Sequence, residues 1–432
     1  MDIKRFIKSL ILYVPRRVHA RRVNAQYSKL PKTESRQRRI IRKIQAKQHV
    51  NVMFIASSLT MWRYGSTIDA LAKDSRFSVH VVITPFSAFT QDERLISVTA
   101  LVRYFESAGI KFTIANTRRE FKKIKHLFRP DIIFYPQPYD FLFPIGIDWR
   151  QNVDCLLAYI PYSLGLSSPD WGYDLDFHNA IWRQYLPSAI HLKESREHSR
   201  NHGINGVVVG EPRADELRGP QNSDPWKKIN DGVSRKRLIW APHFRILENE
   251  FFNRPDFLWT ADVIINMAKK YGQQLQIAFK PHPRLKTALY ELPEWGKERT
   301  DEYYHLWENM DNTQVEEGEY TDLFKTSDAL IHNCGSFTGE YLYTKKPVAY
   351  ISKDIEALKA PYHAFGRRCV EAHYAVSNEE EIERFIVDVV LGGHDTLKDT
   401  REKVYNELLA TPNNRSVGEN IHDDLVKSLG LH

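Results

Sequence analysis

Short apolar runs recur along the chain, and most are followed by a stretch with helical spacing. The first run, 51–56, is continuous and ends in two serines. Continuous apolar runs are typical of strands that are buried on both faces of a parallel sheet. Further runs lie at 78–84, 111–115, 131–135, 155–160 and 206–210, and helical stretches lie at 60–73, 92–108 and 119–128.

A second series of such units follows a polar segment at 215–236, which is rich in Gly, Pro, Asn and Asp and is interpreted as a linker. Strands alternating with helices predict a parallel α/β sheet in each half. We therefore predict two Rossmann-like domains, 48–214 and 237–394, which face each other across a cleft, with helices over 395–432. The second series has strands at 237–241, 274–279, 329–332 and 348–351 and helices at 257–271, 321–326 and 339–343.

Composition agrees with a two-domain globular protein. The chain has 432 residues, of which 42% are hydrophobic and 27% charged. Its three cysteines are widely spaced, which argues against a disulfide framework or a metal site and favours a reducing compartment. No apolar stretch is long enough for a transmembrane helix, and a secretory leader is not expected.

The positive charge is concentrated in residues 1–47. This segment has 15 Lys and Arg against Asp2 and Glu34, an excess of 13, whereas the whole chain is +7 and the rest is therefore net −6. We predict a basic amphipathic helical arm that lies on an anionic membrane surface. Nucleic acid is the rival partner, but the acidic body argues against it. A helix packed on the body is the third possibility.

Two strands of the second domain end in basic turns. The strand at 274–279 runs into Lys280-Pro281-His282-Pro283-Arg284, and the strand at 237–241 runs into a turn with His243 and Arg245. Each proline fixes its own φ and disfavours the α region for the residue before it. Because the carboxyl ends of parallel strands share one edge of a sheet, we expect these cations to lie together and hold an anion. Solvated turns are the alternative.

A third strand end has the features of a phosphate-binding turn. The strand at 329–332 is followed by Gly335 and Ser336, and a helix starts near Phe337. Glycine allows close approach of a ligand, serine can cap the helix, and the first amides of a helix bind phosphate. Glu340, one turn further, could accept hydrogen bonds from two ribose hydroxyls. The three strand ends together predict a site for a nucleoside diphosphate conjugate, with an ordinary strand-turn-helix as the alternative.

These motifs resemble those of the CDP-glycerol glycerophosphotransferase family of teichoic-acid and capsule polymerases, which has a GT-B architecture. The turn with Glu340 is also similar to that of nucleotide-sugar 2-epimerases, which share the fold. The resemblance covers residues 130–430 approximately and is carried by Trp240-Ala241-Pro242 with Arg245, Lys280 to Arg284, Ile331 to Glu340 with Lys346-Pro347, Gly210 to Arg213 with Asp215, and Asn414-Arg415-Ser416.

The resemblance implies a transferase that moves a polyol phosphate, such as glycerol phosphate, from a CDP-linked donor to a hydroxyl of a cell-surface polymer or lipid-linked acceptor and releases CMP. It implies a cytoplasmic enzyme, peripheral at the inner face of the cell membrane, with no metal and no cofactor. A GT-B glycosyltransferase that uses a nucleotide sugar and a non-catalytic scaffold of a polymer-synthesis complex are the alternatives. The residues implied are His282 and His243 for catalysis, and Arg245, Lys280, Arg284, Gly335, Ser336, Glu340 and Arg213 for donor binding.

The chain departs from the family at the presumed catalytic base. The family usually has a Trp-His-Gly-Thr-Pro run after a strand of the N-terminal domain, and its His is the presumed base. Here the corresponding place is Leu157 to Gly165, where Tyr162 or Ser163 stands in the His position. Tyr162 is the third predicted catalytic residue, although an unperturbed tyrosine is a poor base near neutral pH. A displaced residue such as His178 or Asp170 could serve instead.

One further motif resembles a metal site of another fold. Asp174-Leu175-Asp176 matches the metal-binding Asp-x-Asp of GT-A glycosyltransferases. It does not follow an apolar strand, and we interpret it as a solvated helix start.

Overall fold

The computed structural model describes residues 33–86, 89–139, 147–167, 172–246 and 256–432. Within these ranges the chain forms one seven-stranded and one six-stranded sheet. All strand pairs in both sheets are parallel. The predicted α/β class with two domains is therefore confirmed.

The first domain is built on the seven-stranded sheet, whose order is β3-β2-β1-β4-β5-β6-β7. Apolar side chains of its strands point to both faces and are covered on both by helices, as the continuous apolar runs predict. The strands are β1 (Val50–Ala56), β2 (Phe77–Ile83), β3 (Phe112–Ile114), β4 (Ile132–Tyr135), β5 (Leu156–Tyr159), β6 (Arg183–Leu186) and β7 (Gly206–Val208). The helices are α1 (Thr33–Lys47), α2 (Gly65–Ala72), α3 (Gln91–Ser107), α4 (Arg118–Phe128), α5 (Asp176–Ala180), α6 (Ala189–His198) and α7 (Pro212–Arg218).

The second domain is built on the six-stranded sheet, whose order is β10-β9-β8-β11-β12-β13. Its strands are β8 (Lys236–Ala241), β9 (Leu275–Phe279), β10 (Thr313–Val315), β11 (Ala329–His332), β12 (Val348–Ile351) and β13 (Tyr374–Val376). The helices are α8 (Asp256–Lys270), α9 (Leu285–Glu291), α10 (Gly296–Asn309), α11 (Thr321–Thr326), α12 (Phe337–Glu340), α13 (Ile355–Lys359), α14 (Ala364–Glu371), α15 (Glu379–Arg384), α16 (Lys398–Val404) and α17 (Val417–Leu429). The central strands β8, β9 and β11 carry the three predicted motifs at their carboxyl ends.

Helix α1 corrects the predicted boundary of the basic arm. Its apolar stripe, with Ile40 and Ile44, is buried in the core of the first domain. The Lys47 ammonium lies 2.5 Å from the Asp131 carboxylate at the start of β4. The prediction of an arm over 1–47 is therefore wrong for 33–47, because the apolar stripe is buried against the first domain. The remainder of the predicted arm, 1–32, lies outside the described residues.

The C-terminal helix α17 returns to the first domain. Val417, Ile421 and Leu425 join the core around β1 and α2. The Asp215 carboxylate accepts a hydrogen bond from the Val417 amide, at 2.8 Å, and so ties the start of α17 to α7. The two domains are thus connected twice, once through 219–235 and once through the crossing that leads to α17.

The predicted linker is too long at both ends. Residues 215–218 form the last turn of α7, and Lys236 already belongs to β8. The polar composition of 215–236 hid the short helix, because its inward-facing residues are few: Ala214 and Leu217 are buried.

Candidate active site at the domain interface

A pocket of about 300 Å³ opens between the two domains. The first domain contributes the loop 163–167, and the second contributes the ends of β8 and β11. Four of the predicted site residues line this pocket together, namely His243, Arg245, Gly335 and Ser336. The expectation that separate strand ends meet at one edge therefore holds for these four.

His243 and His282 are held by the same local geometry. The His243 Nδ1 accepts a hydrogen bond from the Arg245 amide at 3.3 Å, and the His282 Nδ1 accepts one from the Arg284 amide at 3.1 Å. Because Nδ1 is the acceptor, the proton of each neutral ring is on Nε2. The ring centroids lie 4.9 Å apart. The two His-x-Arg turns therefore form one pair, with His282 beside the pocket that His243 lines.

Cations and an aromatic ring surround His282. Burial, together with the smaller effect of the charges of Arg284, Lys280 and Arg245, lowers the pKa of His282 to about 4. Its ring centroid lies 4.4 Å from that of Phe244, and the Arg284 guanidinium lies 4.5 Å from the centre of the same Phe244 ring. His282 is consequently neutral near pH 7 and acts there as an N–H donor in a positive environment. The sequence analysis had not singled out Phe244, which is the middle residue of the first His-x-Arg turn.

Asn333 joins the two strand ends that form the pocket. Its Oδ1 accepts a hydrogen bond from the His243 amide at 2.6 Å, and its Nδ2 donates to the Asp256 carboxylate at 3.2 Å. The hydroxyl of Tyr350 donates to the Asn333 carbonyl at 3.0 Å. Asn333 therefore fixes the His243 turn against the Gly335 turn. Its position directly after a strand was the only sequence signal for this role.

Lys280 is placed differently from its prediction as a donor ligand. Its ammonium donates to the carbonyls of Glu316 at 3.3 Å and Gly318 at 2.9 Å, and it lies 5.5 Å from the centre of the Tyr320 ring. Burial lowers the pKa of Lys280. The side chain thus supports the loop after β10 instead of lining the pocket.

Ser336 and Arg213 also differ from expectation. Ser336 has helical φ and ψ of −62° and −40°, and its side chain makes no capping hydrogen bond. Arg213 is buried, with its guanidinium 4.8 Å from the centre of the Tyr320 ring and 3.3 Å from the Glu319 carboxylate. A predicted capping role for Ser336 is therefore wrong, and Arg213 holds Tyr320 in place instead of lining the pocket.

Glu340 is buried at the domain interface, outside the lining of the pocket. The Tyr320 hydroxyl donates to its Oε2 at 2.5 Å, and Nη2 of Arg63 in the first domain lies 4.0 Å from its Oε1. Arg63 lies in turn 3.7 Å from the carboxylate of Glu211. Arg63 and Tyr320 were not predicted, because neither belongs to a strand-end motif of the second domain. Glu211 lies in the motif from Gly210 to Arg213, but no role was predicted for it.

The loop in place of the family histidine is wedged between the domains. The Gly165 carbonyl accepts hydrogen bonds from Nε2 of His191 in the first domain, at 3.1 Å, and from Nε2 of His363 in the second, at 2.7 Å. Leu164 packs on Gly339, where an added Cβ would lie 2.0 Å from a Leu164 methyl. Tyr162 is outside the pocket lining, and burial raises its pKa. The role of Tyr162 as a base therefore stays a prediction, which neither its position nor its raised pKa supports, whereas Ser163 and Gly165 form part of the pocket wall.

Among the other candidates for chemistry in the first domain, the described ones are separate from the pocket lining. His178 is buried in the core, which lowers its pKa to about 4, and Asp170 lies outside the described residues. Asp174 and Asp176 pair with Arg200, at 3.0 and 2.8 Å. Within the described ranges, no three His, Cys, Asp or Glu side chains converge as metal ligands would.

Comparison with solved structures and with a family model shows which proteins this chain is similar to. A wall teichoic acid polymerase TagF variant superposes with a TM-score of 0.55 at 12% identity, over 96% of this chain and 99% of that one. An S. aureus MnaA-UDP structure gives 0.57 at 13% identity, over 89% and 98%. A putative UDP-N-acetylglucosamine 2-epimerase from Listeria monocytogenes gives 0.57 at 14% identity, over 88% and 96%. These similarities confirm the GT-B fold.

Residues 191–364 match the family of CDP-glycerol:poly(glycerophosphate) glycerophosphotransferases. The match confirms the resemblance over this range and indicates an enzyme of the glycerophosphotransferase type. The matched range contains the pocket residues of the second domain together with His282 and Glu340. No curated protein matches the chain. None of the helices in the described residues has the length and apolarity needed to cross a membrane.

Proposed function

We propose that the chain transfers glycerol phosphate, or a closely related polyol phosphate, from a CDP-linked donor to a hydroxyl of a surface polymer or of its lipid-linked precursor. The observation that carries this proposal is the paired His-x-Arg geometry of His243 and His282 beside the pocket between the domains. Two N–H donors and two guanidinium groups on adjacent strand ends suit a diphosphate, whose oxygens accept charge-assisted hydrogen bonds.

The chemistry is a displacement at phosphorus. The acceptor oxygen forms a bond to the β-phosphorus of the donor, the bond from that phosphorus to the bridging oxygen breaks, and CMP leaves with the electron pair. The hydroxyl proton passes to solvent. Phosphoryl transfer depends on positioning and on fixed charge near the developing negative oxygens. His243, His282, Arg245 and Arg284 supply that charge and those donors on this chain.

The bound diphosphate also changes the charge state of His282. In the free protein its pKa is about 4, so it is neutral at physiological pH. A diphosphate beside the ring adds negative charge, which favours the protonated form. His282 would then become a cation on donor binding and provide its strongest hydrogen bond when the donor is present.

A nucleotide-sugar glycosyltransferase is the second candidate. The observation that favours it is the loop at Tyr162 and Ser163, which lacks the histidine that the family usually carries there. The same pocket would then hold a sugar diphosphate, and the acceptor would attack carbon instead of phosphorus. The two functions differ in the product that is released, CMP in the first case and a nucleoside diphosphate in the second.

We further propose that the enzyme works at the inner face of the cell membrane. Residues 1–32 carry nine Lys and Arg against Asp2. Helix α4 adds an exposed basic face with Arg118, Arg119 and Lys123, and the exposed Leu127 lies beside them. Basic residues combined with exposed apolar groups favour an anionic lipid surface. A lipid-linked acceptor would reach the cleft from that surface.

A thermal-shift panel tests the donor class directly. We expect CDP-glycerol or CDP-ribitol to raise the melting temperature more than UDP-sugars at equal concentration, and CMP to raise it less than its diphosphate conjugates. His282→Ala should remove the advantage of the conjugates over CMP. A shift caused by UDP-sugars alone would favour the glycosyltransferase, and no shift with any nucleotide would contradict a donor site.

A further inference from the structure

Arg63 occupies a central position between two buried carboxylates, one in each domain. Its Nε lies 3.7 Å from Oε1 of Glu211 in the first domain, and its Nη2 lies 4.0 Å from Oε1 of Glu340 in the second. Its Nη1 donates to the Trp62 carbonyl at 2.8 Å, which anchors the guanidinium to the first domain. All three charged side chains are at most 4% exposed.

The Glu211 carboxylate is the member of this cluster that lacks hydrogen bonds within the part of the chain that the structure describes. Both of its carboxylate oxygens are buried without a hydrogen-bond partner among the described residues. A buried charge without hydrogen bonds is costly, so such a group usually carries a proton or gains a partner in another state. Glu211 also stands at a fixed place, because Gly210 before it has φ +99° and packs on Thr411 and Val417.

We propose that Arg63 and Glu211 are positioning residues of the donor site. Arg63 orients the Glu340 carboxylate from across the domain interface. When the ribose of the donor binds Glu340, Arg63 pairs with Glu211 instead. This inference rests on the proposed function and on the prediction from the sequence that Glu340 accepts the ribose hydroxyls of the donor. Tyr320 orients one oxygen of Glu340, and Arg63 faces the other. The ribose must displace Tyr320 and Arg63 from Glu340, because Glu340 is only 1% exposed.

The protonation of Glu211 predicts whether this exchange releases or takes up protons. The pKa of Glu211 is raised to about 8, because burial and then the charge of Glu340 outweigh the opposing charges of Arg63 and Arg213. Burial and then the charge of Glu211 raise the pKa of Tyr343, which lies in the turn after α12. When Arg63 leaves Glu340, its whole charge acts on Glu211, whose proton is then released to solvent. The contribution of Glu211 should therefore make donor binding tighter as the pH rises toward 8, while the proton uptake at His282 acts in the opposite direction.

Isothermal titration calorimetry of the full chain with CDP-glycerol, in two buffers of different ionisation enthalpy, counts the protons released. Because His282 takes up protons when the diphosphate binds, the informative quantity is the difference between the wild type and Glu211→Gln. Glutamine is isosteric with the protonated acid, so the fold is retained. We expect the wild type to release close to one proton more than Glu211→Gln at about pH 7, and almost none more at about pH 9.

Two further variants complete the test. Glu216→Gln is the matched control, because Glu216 pairs with Arg213 on the same helix instead of with Arg63, and its proton count should equal that of the wild type. Arg63→Lys keeps the charge but cannot span both carboxylates, so the KM for the donor should rise about tenfold with little change in kcat.

The failure of this inference is distinguishable from that of the proposed function. If CDP-glycerol does not bind, or if Glu340→Gln binds it as well as the wild type does, the donor site itself is wrong. If the donor binds and Glu340→Gln weakens it, equal proton counts for the wild type and Glu211→Gln would overturn the role of Glu211. An unchanged KM in Arg63→Lys would overturn the role of Arg63.

Discussion

His243 and His282 present their rings 4.9 Å apart, although they follow different strands, and each ring is locked by the amide of the arginine two residues later. The repeated geometry is informative, because a single histidine in a turn is commonly structural. Two histidines that lie together with the same tautomer, each bonded by the amide of an arginine two residues later, indicate a site. Both rings present an Nε2 proton, and the sheet edge fixes the spacing between them.

Replacing His282 should therefore abolish transfer while the fold remains. We expect His282→Ala to lower kcat by at least about 100-fold, since one preorganised donor to a developing charge contributes that much. Transfer assays and thermal unfolding of the same preparation check both parts. His305→Ala is the control, because His305 is exposed on α10 and pairs only with Glu308 among the described residues. Full turnover by His282→Ala would contradict the assigned role.

Glu340→Gln should weaken donor binding more than it slows turnover at saturation. Ribose contacts are the same in the ground and transition states, and such uniform binding appears in KM. Tyr320→Phe removes only the hydroxyl that donates to Glu340, so it should raise the KM less than Glu340→Gln does. Steady-state kinetics with varied donor concentration separate the effects. Equal losses in kcat and in kcat/KM would place Glu340 in the chemical step instead.

The sequence predicted the parts of this molecule that depend on local pattern. Continuous apolar runs located the central strands, and β12 at 348–351 agrees to the residue. The short strands β6 and β10 were missed because Gln184 and Gln314 interrupt their apolar pattern, and β13 was missed because it has only three residues. Residues 33–47 were predicted as part of the basic arm because of their basic composition. Their apolar stripe is recognised as a buried one only from the packing of α1 against the first domain.

Some residues of the candidate site could likewise be predicted from local sequence pattern, and others could not. His243, Arg245, Gly335 and Ser336 share a pocket because strand order brings their turns to one edge, and a parallel sheet makes that predictable. The roles of Lys280 and Arg213 depend on the loop after β10, whose carbonyls and Tyr320 ring capture these cations. Periodicity in the sequence does not predict these contacts of Lys280 and Arg213. Arg63 and Glu211 meet Glu340 only through the packing of two domains, which no local motif reports.

Two truncations should separate the basic arm from the folded body. Deleting residues 1–32 should leave the melting temperature nearly unchanged and weaken flotation with anionic vesicles, because each basic residue near such a surface contributes about 1 kcal/mol. Deleting 1–47 should also destabilise the protein by several kcal/mol, since the loss of buried side chains such as Ile40 and Ile44 costs about 2 kcal/mol each.

The control for flotation is neutral vesicles, and raising the salt concentration should weaken the anionic interaction as the Debye length shortens. Equal flotation of the full chain and of the chain without 1–32 would rule out that segment as the principal anchor. An unchanged melting temperature after deletion of 1–47 would contradict the packing of α1.

Acid should destabilise the fold well before the carboxylates titrate. Burial lowers the pKa of His178, His191 and His282 to about 4 and that of His373 to about 3. An unfolded histidine titrates near 6.5. The unfolded chain therefore binds more protons between these values, so this stability is fully present above about pH 6.5 and is lost as the pH falls toward 4.

Each such histidine contributes a slope of up to about 1.4 kcal/mol per pH unit within that window. Glu211, with a pKa raised to about 8, acts in the opposite direction, but it is one group against four. Urea unfolding followed by circular dichroism at several pH values measures the slope. An unfolding free energy that stays constant from pH 6.5 to 4.5 would contradict the burial of neutral histidines.

Gly339→Ala should disturb the pocket through the domain interface. The new methyl group would lie 2.0 Å from a Leu164 methyl, so the loop 163–167 must move away from α12. We expect a higher KM for the donor, because that loop forms one wall of the pocket. Two other glycines are unsuitable as controls. Gly296 has a φ of +63°, which strains any side chain, and Gly335 has open space around a new methyl group but lines the pocket itself. Gly318→Ala, with open space and no positive φ, is the matched control.

The identity of the released product tests the central claim most directly. Purified full-length protein is incubated with CDP-glycerol and a polymer or lipid-linked acceptor analogue, and nucleotides are separated by chromatography. The account predicts acceptor-dependent release of CMP with matching incorporation of glycerol phosphate, and the loss of both in His282→Ala. Release of a nucleoside diphosphate from a nucleotide sugar, with CDP-glycerol left intact, would contradict it.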